Sequence, residues 1–335
     1  MNAIIMAGGE GTRLRSIWSS GPKPMIPLLG KPVMERMLAL LAHCGVKHVR
    51  ATLRYMPGVI TEYFRDGTDF GLSLSYSVES EPLGTAGGVR ACADFYGDRD
   101  FLVVSGDAAC DFNLKALMEC HRRHKAAVTM ALYTHAAPTS YGLVVTDPLG
   151  FVRGFIEKPA WNRVVTDRVN TGIYAISPRA MAYVPKGKPF DFAKDLFPRL
   201  LDAGETVIGL PMDGYWCDVG TPRAYYQCNL DALDGKLRLY GDMPAPQPAR
   251  APTEPVSVHA HRSRVVIPCA SRARLMRELT ERLMTEAGAD FSDGLCLPGV
   301  QIAPDAEQEA VVIRADSPET LSKYESIAKS FGENA

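Results

Sequence analysis

The chain has 335 residues, of which 46% are hydrophobic and 22% are charged, and its formal net charge is −1. This composition is that of an ordinary globular protein and excludes a chain that is mainly disordered or fibrous. The balanced charge gives no electrostatic reason to expect nucleic acid or an anionic membrane as the main partner, so any bound anion must be held by a local arrangement of residues.

The eight cysteines include no Cys-x-x-Cys pair, and no cysteine and histidine have the spacing of a zinc site. This pattern predicts reduced thiols and a cytoplasmic protein. The apolar stretch after Met1 is too short for the core of a signal peptide. No apolar run approaches the roughly 18 residues that span a membrane, so we expect no membrane partner.

Between residues 3 and 233, short apolar runs alternate with helical patterns. This alternation predicts an α/β domain with a Rossmann-like mixed, mostly parallel sheet and helices on both faces. The predicted strands are 3–7, 48–53, 72–77, 101–105, 128–133, 142–146, 152–156 and 171–176. The predicted helices are 33–44, 59–64 and 114–121. The last helix has a polar face, on which we expect His121 and His124 to be solvated.

The character of the chain changes near residue 235. Five prolines between residues 244 and 255 predict a linker over 235–258, because proline removes backbone donors and favours extended chain. Beyond it, strands at 264–268, 299–303 and 310–315 alternate with helices at 272–287 and from Ser317 to about Phe331. The predicted domains are therefore 1–234 and a small α+β domain, 259–335, with the order β-α-β-β-α.

The most informative motif is the glycine-rich turn at residues 8–12, which directly follows the first predicted strand. Glycine lets a backbone approach a ligand closely and direct its N–H groups at phosphate oxygens. The planar guanidinium group of Arg13 could donate two hydrogen bonds to the same oxygens, and the ammonium group of Lys23 could supply a compact positive charge beside them. Leu14 stands where a dinucleotide fingerprint has its third glycine, and no P-loop Gly-Lys-Ser/Thr follows. The motif predicts a phosphate site; the alternative is a plain turn with two surface cations.

Two aspartates are candidate metal ligands. Asp107 follows a strongly apolar strand, at the edge where open α/β sheets bind ligands. Asp218 lies in an aromatic strand just before a glycine turn, where a charge is costly unless it is paired or on a metal. Together they could flank one Mg²⁺, which prefers oxygen ligands. The alternative for each is a turn or helix cap. Asp111 could belong to either role, and we favour a turn or cap for it.

Three polar side chains and a second glycine-rich stretch complete the candidates. Glu157 and Asn170 could form hydrogen bonds with sugar hydroxyl groups, and Lys158 could bind a phosphate. Taken alone, the pair at 157 and 158 is better explained as a solvated strand end. The stretch 82–88 precedes a predicted helix and could lie against a nucleobase; its alternative is a strand-to-helix turn.

These segments together resemble the sugar-1-phosphate nucleotidyltransferase family over residues 1–233. The match through Asp66-Gly67-Thr68-Asp69-Phe70-Gly71 and Phe190-Asp191-Phe192 is most similar to its mannose-1-phosphate guanylyltransferase branch. Each motif is weak by itself, but seven in the family's order are specific. The motifs are Gly8-Gly9-Glu10-Gly11-Thr12-Arg13-Leu14, Pro22-Lys23-Pro24-Met25, Leu83-Gly84-Thr85-Ala86-Gly87, Gly106-Asp107, Glu157-Lys158-Pro159, Asn170-Thr171-Gly172 and Trp216-Cys217-Asp218-Val219-Gly220-Thr221-Pro222.

The resemblance implies a role for each matching residue. The residues that would hold the nucleotide phosphates are Ala7, Gly8, Gly9, Gly11, Thr12 and Arg13. The residues that would receive the base are Leu83, Gly84, Thr85, Ala86 and Gly87. The residues that would hold the sugar and its phosphate are Gly142, Glu157, Lys158, Asn170 and Thr171. The catalytic residues would be Arg13, Lys23, Asp107 and Asp218, of which the two aspartates would bind Mg²⁺.

The implied activity is transfer of a nucleotidyl group from an NTP to a sugar 1-phosphate, giving an NDP-sugar and pyrophosphate. GTP and mannose 1-phosphate are the favoured substrates, with GDP-mannose as product. GTP with a heptose 1-phosphate, or UTP or dTTP with glucose 1-phosphate, are the alternatives. A non-catalytic regulatory subunit that binds NDP-sugar is the alternative of another class, against which stand the intact Arg13, Lys23 and both acids.

The C-terminal unit is similar to the last domain of phosphohexomutases. In that family, an arginine-, serine- and glycine-containing loop between two strands binds a sugar phosphate. The stretch at the corresponding position is Ala303-Pro304-Asp305-Ala306-Glu307-Gln308-Glu309, which lacks all three residue types and carries three acids. We therefore expect this loop to repel phosphate, and we expect the unit to serve packing, homo-oligomerisation or regulation, without mutase activity.

Overall fold

The structure is a computed structural model, and it describes residues 1–15, 17–19, 21–240, 259–261, 264–268, 300–305 and 310–315. The chain divides into two compact units. The first unit comprises Met1–Glu10, Pro22–Met25 and Val33–Asp218, and the second comprises Gly11–Gly21, Ile26–Pro32 and Val219–Ala335.

Helices and strands alternate through most of the described residues. The α-helices are α1 (Val33–His43), α2 (Pro57–Phe64), α3 (Gly84–Ala91), α4 (Ala93–Tyr96), α5 (Leu114–His124), α6 (Pro178–Met181), α7 (Phe197–Asp202) and α8 (Pro222–Leu233). The strands are β1 (Asn2–Met6), β2 (Pro27–Leu28), β3 (Lys31–Pro32), β4 (His48–Leu53), β5 (Ser73–Val78), β6 (Phe101–Ser105), β7 (Ala108–Cys110), β8 (Val128–Thr134), β9 (Gly142–Thr146), β10 (Val152–Glu157), β11 (Arg168–Ile176), β12 (Val207–Pro211), β13 (Trp216–Asp218), β14 (His259–His261), β15 (Arg264–Pro268), β16 (Val300–Asp305) and β17 (Ala310–Ala315). Among the described residues, no helix combines the length and apolar composition needed to cross a membrane.

The first unit is built on a nine-stranded mixed sheet with the order β10-β9-β11-β6-β1-β4-β5, with β8 beside β11 and β12 beside β8. The prediction of a mixed α/β sheet is confirmed, and the sheet is partly parallel. Strands β5, β4, β1 and β6 are parallel neighbours, as are β8 and β12, whereas β11 is antiparallel to β6, β8 and β9, and β9 to β10. Short connections join several strands after residue 128, and such connections suit antiparallel neighbours because a parallel pair needs a long crossover.

Helices cover both faces of this sheet. On one face, Ile4 of β1, Val103 of β6 and Val128 of β8 belong to the same buried cluster as Val89 of α3. Thr129 follows Val128 in β8 and therefore points to the opposite face, where its hydroxyl group contacts His121 of α5. The sheet is thus buried on both sides, which explains the unbroken apolar runs of β1 and β6.

His121 does not lie on a solvated helix face, contrary to the sequence prediction. Its side chain is 1% exposed, with Nδ1 3.0 Å from Thr129 Oγ1 and Nε2 3.4 Å from Ser177 Oγ. Ser177 in turn donates a hydrogen bond of 2.7 Å to Asp100. Polar partners from three segments allow a histidine to be buried on a helix whose sequence looks hydrophilic.

The second unit contains a four-stranded antiparallel sheet in the order β14-β15-β17-β16, besides α8 and the small β2–β3 pair. The predicted strands at 264–268 and 310–315 are observed. The stretch predicted as a loop from Ala303 is in part a strand, because Ala303, Pro304 and Asp305 pair with Val312, Val311 and Ala310. The helices predicted at 272–287 and after Ser317, the rest of that loop, and the linker beyond residue 240 lie outside the described residues.

The buried His121 predicts a pH-dependent stability. Burial lowers the pKa of His121 below its ordinary value, so the unfolded chain takes up a proton on this ring more readily than the folded chain does. We expect the free energy of unfolding to fall as the pH drops through about 6.5. In urea titrations from pH 8 to pH 5, the difference in stability between wild type and His121→Gln should shrink toward low pH. Parallel stability curves for the two proteins would contradict this assignment.

Candidate functional site

The parallel strands of the first unit present their carboxyl ends at one edge of the sheet, where α/β proteins bind ligands. Residues 7–10 follow β1, Arg54 follows β4, Glu79 follows β5 and Asp107 follows β6 closely. Backbone hydrogen bonds join neighbouring ends: Ala7 N donates to Thr52 O at 3.0 Å and Gly106 N to Met6 O at 2.9 Å. The predicted phosphate loop and the first predicted metal ligand therefore start side by side.

A buried lysine joins the two aspartates at this edge. Lys23 Nζ lies 2.7 Å from Asp107 Oδ2 and 3.0 Å from Asp218 Oδ1, and the lysine side chain is 8% exposed. Burial alone would lower the pKa of Lys23, but the two carboxylates outweigh it and raise that pKa above its ordinary value. The lysine is therefore held charged, and the three groups together carry one net negative charge.

Neighbouring strands fix the positions of both aspartates. The Ser105 hydroxyl group donates a hydrogen bond of 2.5 Å to Asp107 Oδ1, which leaves Oδ2 for Lys23. Burial alone would raise the pKa of Asp107, but Lys23 and Ser105 keep it below its usual range. Asp218 is brought to the same place because β13 pairs with β7, which sets Asp218 opposite Ala108.

Asp111 and Asp218 do not cap helices. Asn113 caps α5 through a hydrogen bond from Ala116 N, and Thr221 caps α8 through one from Ala224 N. Asp111 instead lies just after β7, and its Oδ1 accepts a hydrogen bond of 2.6 Å from the N–H group of Tyr215, just before β13. Of the turn or capping role predicted for Asp111, the capping part is therefore wrong, because its hydrogen-bond partner Tyr215 comes from a distant part of the chain.

Lys23, Asp107 and Asp218 together form what we call the lysine–carboxylate clamp, and its residues fit a magnesium ion. Two carboxylates converge on one cationic group, and Mg²⁺ is commonly held by one or two carboxylates with water and substrate phosphates as its other ligands. Within the described part of the chain, no group of three or more His, Cys, Asp or Glu side chains is arranged to hold a metal by protein ligands alone. An ion here would therefore be completed by its substrate, as Mg²⁺ usually is.

The residues predicted to hold the sugar lie on β9, β10 and β11, but they are not equally available. Glu157 pairs with Gly142, and a Cβ on this glycine would lie 2.8 Å from Glu157 Oε2, so the carboxylate lies over the glycine. Lys158 is 64% exposed, and its Nζ is 3.9 Å from Glu157 Oε1. Asn170 accepts hydrogen bonds from Gly172 N and Tyr174 Oη, which leaves its NH₂ group as the donor.

Thr171 is turned into the protein. Its side chain is buried, its hydroxyl group donates a hydrogen bond of 2.7 Å to Ala131 O, and its carbonyl accepts one from Trp216 Nε1. The structure thus gives Thr171 a role in holding Trp216, two residues from Asp218, and does not expose its hydroxyl group to a sugar.

The glycine-rich stretch predicted to precede a helix forms the first turns of α3 itself. Ala86 N and Gly87 N each donate a hydrogen bond of 3.0 Å to Phe190 O, and Phe190 N donates to Leu83 O. These backbone groups are therefore engaged with another loop. Within the described residues, the N–H groups of Gly84 and Thr85 have no partner and are the ones free to meet a ligand.

Glu79 is a site residue that the sequence analysis missed. It follows β5, donates its N–H to Leu53 O at 2.8 Å and accepts a hydrogen bond of 3.1 Å from Leu83 N at Oε2. Its other carboxylate oxygen overlaps the position that a Cβ on Gly88 would take. Burial raises the pKa of this half-buried carboxyl group. The signal that could have found it is the one used for Asp107, an acid at the carboxyl end of a parallel strand.

The predicted phosphate loop begins directly after β1, at Ala7, Gly8 and Gly9. Gly11 adopts a left-handed conformation, φ 65°, and starts a short 3₁₀ helix at Thr12–Leu14, with Arg13 exposed. The binding roles of these residues, like those of the other site residues, remain predictions.

The carboxyl edge of the parallel strands is the place where α/β proteins bind their ligands. A family model described as "Nucleotidyl transferase" matches residues 2–235, and the chain belongs to this family. The match includes all the candidate site residues of both units.

Three similar proteins give this membership its context. The UTP–glucose-1-phosphate uridylyltransferase of Synechocystis sp. is 38% identical over 251 residues, which are 71% of this chain and 65% of that protein. The mannose-1-phosphate guanylyltransferase of Mycobacterium tuberculosis is 34% identical over 236 residues, 70% of this chain and 65% of that protein. The chain thus spans less than two thirds of these curated relatives. The crystal structure of HddC from Yersinia pseudotuberculosis complexed with GMP-PN has a TM-score of 0.60 and 27% identity, covering 68% of this chain and 97% of that chain.

Gly84 offers a test of the α3 contact. It has φ +69°, and a Cβ there would lie 2.7 Å from Phe190 O, whereas Gly187 has φ +65° with nothing within 4 Å of such a Cβ. Gly187→Ala should cost only the backbone strain, about 1 kcal/mol. Gly84→Ala should cost clearly more and raise the KM for nucleotide, because Phe190 O must move away from Ala86 and Gly87. Equal losses in urea unfolding for the two variants would contradict the contact.

Proposed function

We propose that this chain transfers a nucleotidyl group from an NTP, preferably GTP, to a sugar 1-phosphate, preferably mannose 1-phosphate. The products are an NDP-sugar and pyrophosphate. The observation that carries the proposal is the buried Lys23 ammonium group held between Asp107 and Asp218 at the carboxyl edge of the sheet. Membership of the nucleotidyl transferase family supports it.

The chemistry of this reaction suits the clamp. The nucleophile, a sugar-phosphate oxygen, is already anionic, so no general base is needed, and the attack on the α-phosphorus requires alignment and neutralisation of charge. Lys23 is held charged by its two acids and supplies a fixed positive charge in a buried setting, where it acts strongly on transferring phosphates. Lys158, on the exposed end of β10, would take the phosphate of the sugar.

Asp107 and Asp218 would hold Mg²⁺, which supplies neutralisation of the phosphate charges when bound. Ser105 keeps one oxygen of Asp107 occupied and so fixes the orientation of the carboxylate. Arg13 and the glycine loop would hold the remaining phosphates of the nucleotide, as the family's motif implies.

Glu79 supports guanine as the base. An ionised carboxylate only accepts hydrogen bonds, and guanine offers it two adjacent donors, N1–H and the N2 amino group. Uracil and thymine offer a single N3–H between two carbonyl oxygens, which a carboxylate repels. Glu79 is fixed beside Leu83 at the start of α3, next to the stretch that would receive the base. The relative complexed with GMP-PN also supports a guanine nucleotide.

The preference for mannose 1-phosphate rests on the sequence motifs and on the relative from Mycobacterium tuberculosis. A second candidate function is the transfer of a uridylyl group to glucose 1-phosphate, which is favoured by the 38% identity to the Synechocystis uridylyltransferase. Pyrophosphate release from GTP, UTP, dTTP and ATP, each with mannose, glucose and heptose 1-phosphates, tests both. GTP with mannose 1-phosphate should give the highest kcat/KM; a clear preference for UTP with glucose 1-phosphate would replace the first candidate by the second.

The two aspartates should be indispensable for turnover. We expect Asp107→Asn and Asp218→Asn each to lower kcat by about 100-fold or more and to weaken the response to added Mg²⁺, because each removes one negative charge from the clamp. Asp69→Asn is the matched control, since Asp69 is 63% exposed and, among the described residues, forms an ion pair only with Arg65. Thermal unfolding of each variant should show an intact fold. Full activity in either clamp variant would refute the metal role.

The base preference should depend on Glu79. Glu79→Gln replaces one accepting oxygen by a donor, so kcat/KM for GTP should fall by about 10- to 100-fold while UTP is tolerated better. Glu81→Gln is the control, because Glu81 is exposed on the same loop. The measurement is kcat/KM for GTP and UTP with one sugar 1-phosphate. An unchanged GTP-to-UTP ratio in Glu79→Gln would exclude a role in reading the base.

A further inference from the structure

Arg54 lies between the phosphate loop and Glu79. It directly follows β4, whose neighbours in the sheet are β1 and β5. A Cβ placed on Gly8 would lie 3.5 Å from both Arg54 Cβ and Arg54 N. On the other side, Glu79 N donates to Leu53 O, so Arg54 and Glu79 occupy the ends of two adjacent parallel strands.

The charge of Arg54 is not needed to hold the fold together. Its Nη1 is 3.9 Å from Glu10 Oε1, and the side chains of Arg54 and Glu10 are 41% and 39% exposed. An ion pair this long and this exposed contributes little to stability. It is the only ion pair of Arg54 among the described residues. The guanidinium group therefore stands at the sheet edge with most of its five donors unused.

The neighbouring Arg54 and Glu79 form a donor beside an acceptor. Guanine presents a matching edge, because N7 and O6 accept hydrogen bonds and N1–H and the N2 amino group donate them, in that order around the ring. Arginine can donate to N7 and O6 together through its planar fork. Uracil and thymine have no N7, so the guanidinium group of Arg54 would form fewer hydrogen bonds with them than with guanine.

We propose that Arg54 is a base-specificity residue, which donates to O6 and N7 of the guanine of bound GTP while Glu79 accepts from the opposite part of the same edge. This inference rests on the proposed function and extends it. Nothing in the seven family-like motifs includes Arg54, because its position follows from the pairing of β4 with β5 and from the contact with Gly8.

The test is nucleotide binding by calorimetry in Mg²⁺, without acceptor sugar, for wild type, Arg54→Ala and Arg54→Lys. The probes are GTP, ITP, 7-deaza-GTP and UTP. Arg54→Ala should raise the Kd of GTP and ITP, which both carry O6 and N7, by about 10- to 100-fold, and should change that of UTP little. Arg54→Lys should recover only part of the GTP affinity that Arg54→Ala loses, because lysine can donate to O6 and N7 but lacks the planar fork. Wild type should bind 7-deaza-GTP more weakly than GTP, and Arg54→Ala should bind the two alike.

Arg65→Ala is the control, because Arg65 is 73% exposed and pairs with Asp69; its nucleotide Kd values should match wild type. Equal weakening of GTP and UTP by Arg54→Ala, with recovery in Arg54→Lys, would mean a phosphate contact and would overturn the inference. An unchanged Kd for every nucleotide would overturn it as well. Because binding is measured without turnover, an absence of pyrophosphate release from wild type would refute the proposed function and leave the binding result to be judged separately.

Discussion

The candidate site depends on one interaction, the ammonium group of Lys23 between the carboxylates of Asp107 and Asp218. A buried charge is costly unless it is paired, and a lysine that is 8% exposed requires both partners. Its partners are 84 and 195 residues away along the chain. The turn after β6, the β7–β13 pair and the short 3₁₀ helix that carries Lys23 must therefore all be formed before the clamp exists.

The sheet explains why the other candidates gather near this clamp. Four parallel strands end at one edge, and each is followed by a segment that carries a polar or glycine residue. Across neighbouring strands, this edge places Asp107 after β6, the start of the phosphate loop after β1, Arg54 after β4 and Glu79 after β5. Two segments that can donate hydrogen bonds therefore lie between two carboxylates.

Some polar groups of the motif residues form hydrogen bonds inside the protein and do not face a ligand. Thr171, Ala86 and Gly87 all belong to the family's motifs. The Thr171 hydroxyl group nevertheless donates to Ala131 O, and the N–H groups of Ala86 and Gly87 donate to Phe190 O. A motif residue can therefore act by holding a neighbour in place, as Thr171 holds Trp216 through its carbonyl. Buried polar groups need partners in any case, so a fold that uses these residues internally leaves the ligand to their exposed neighbours.

The sequence by itself determined the α/β class, most strands of the sheet and the residue types of the site. These are local properties: apolar runs define strands, and glycine, lysine and aspartate at strand ends limit the chemistry. The sequence did not determine the strand directions after residue 128 or the burial of His121. It also did not determine the hydrogen bond between Asp111 and Tyr215, or the side-by-side position of Arg54 and Glu79. Only the tertiary structure decided these, because each depends on which distant segments become neighbours, and no short stretch of sequence carries that information.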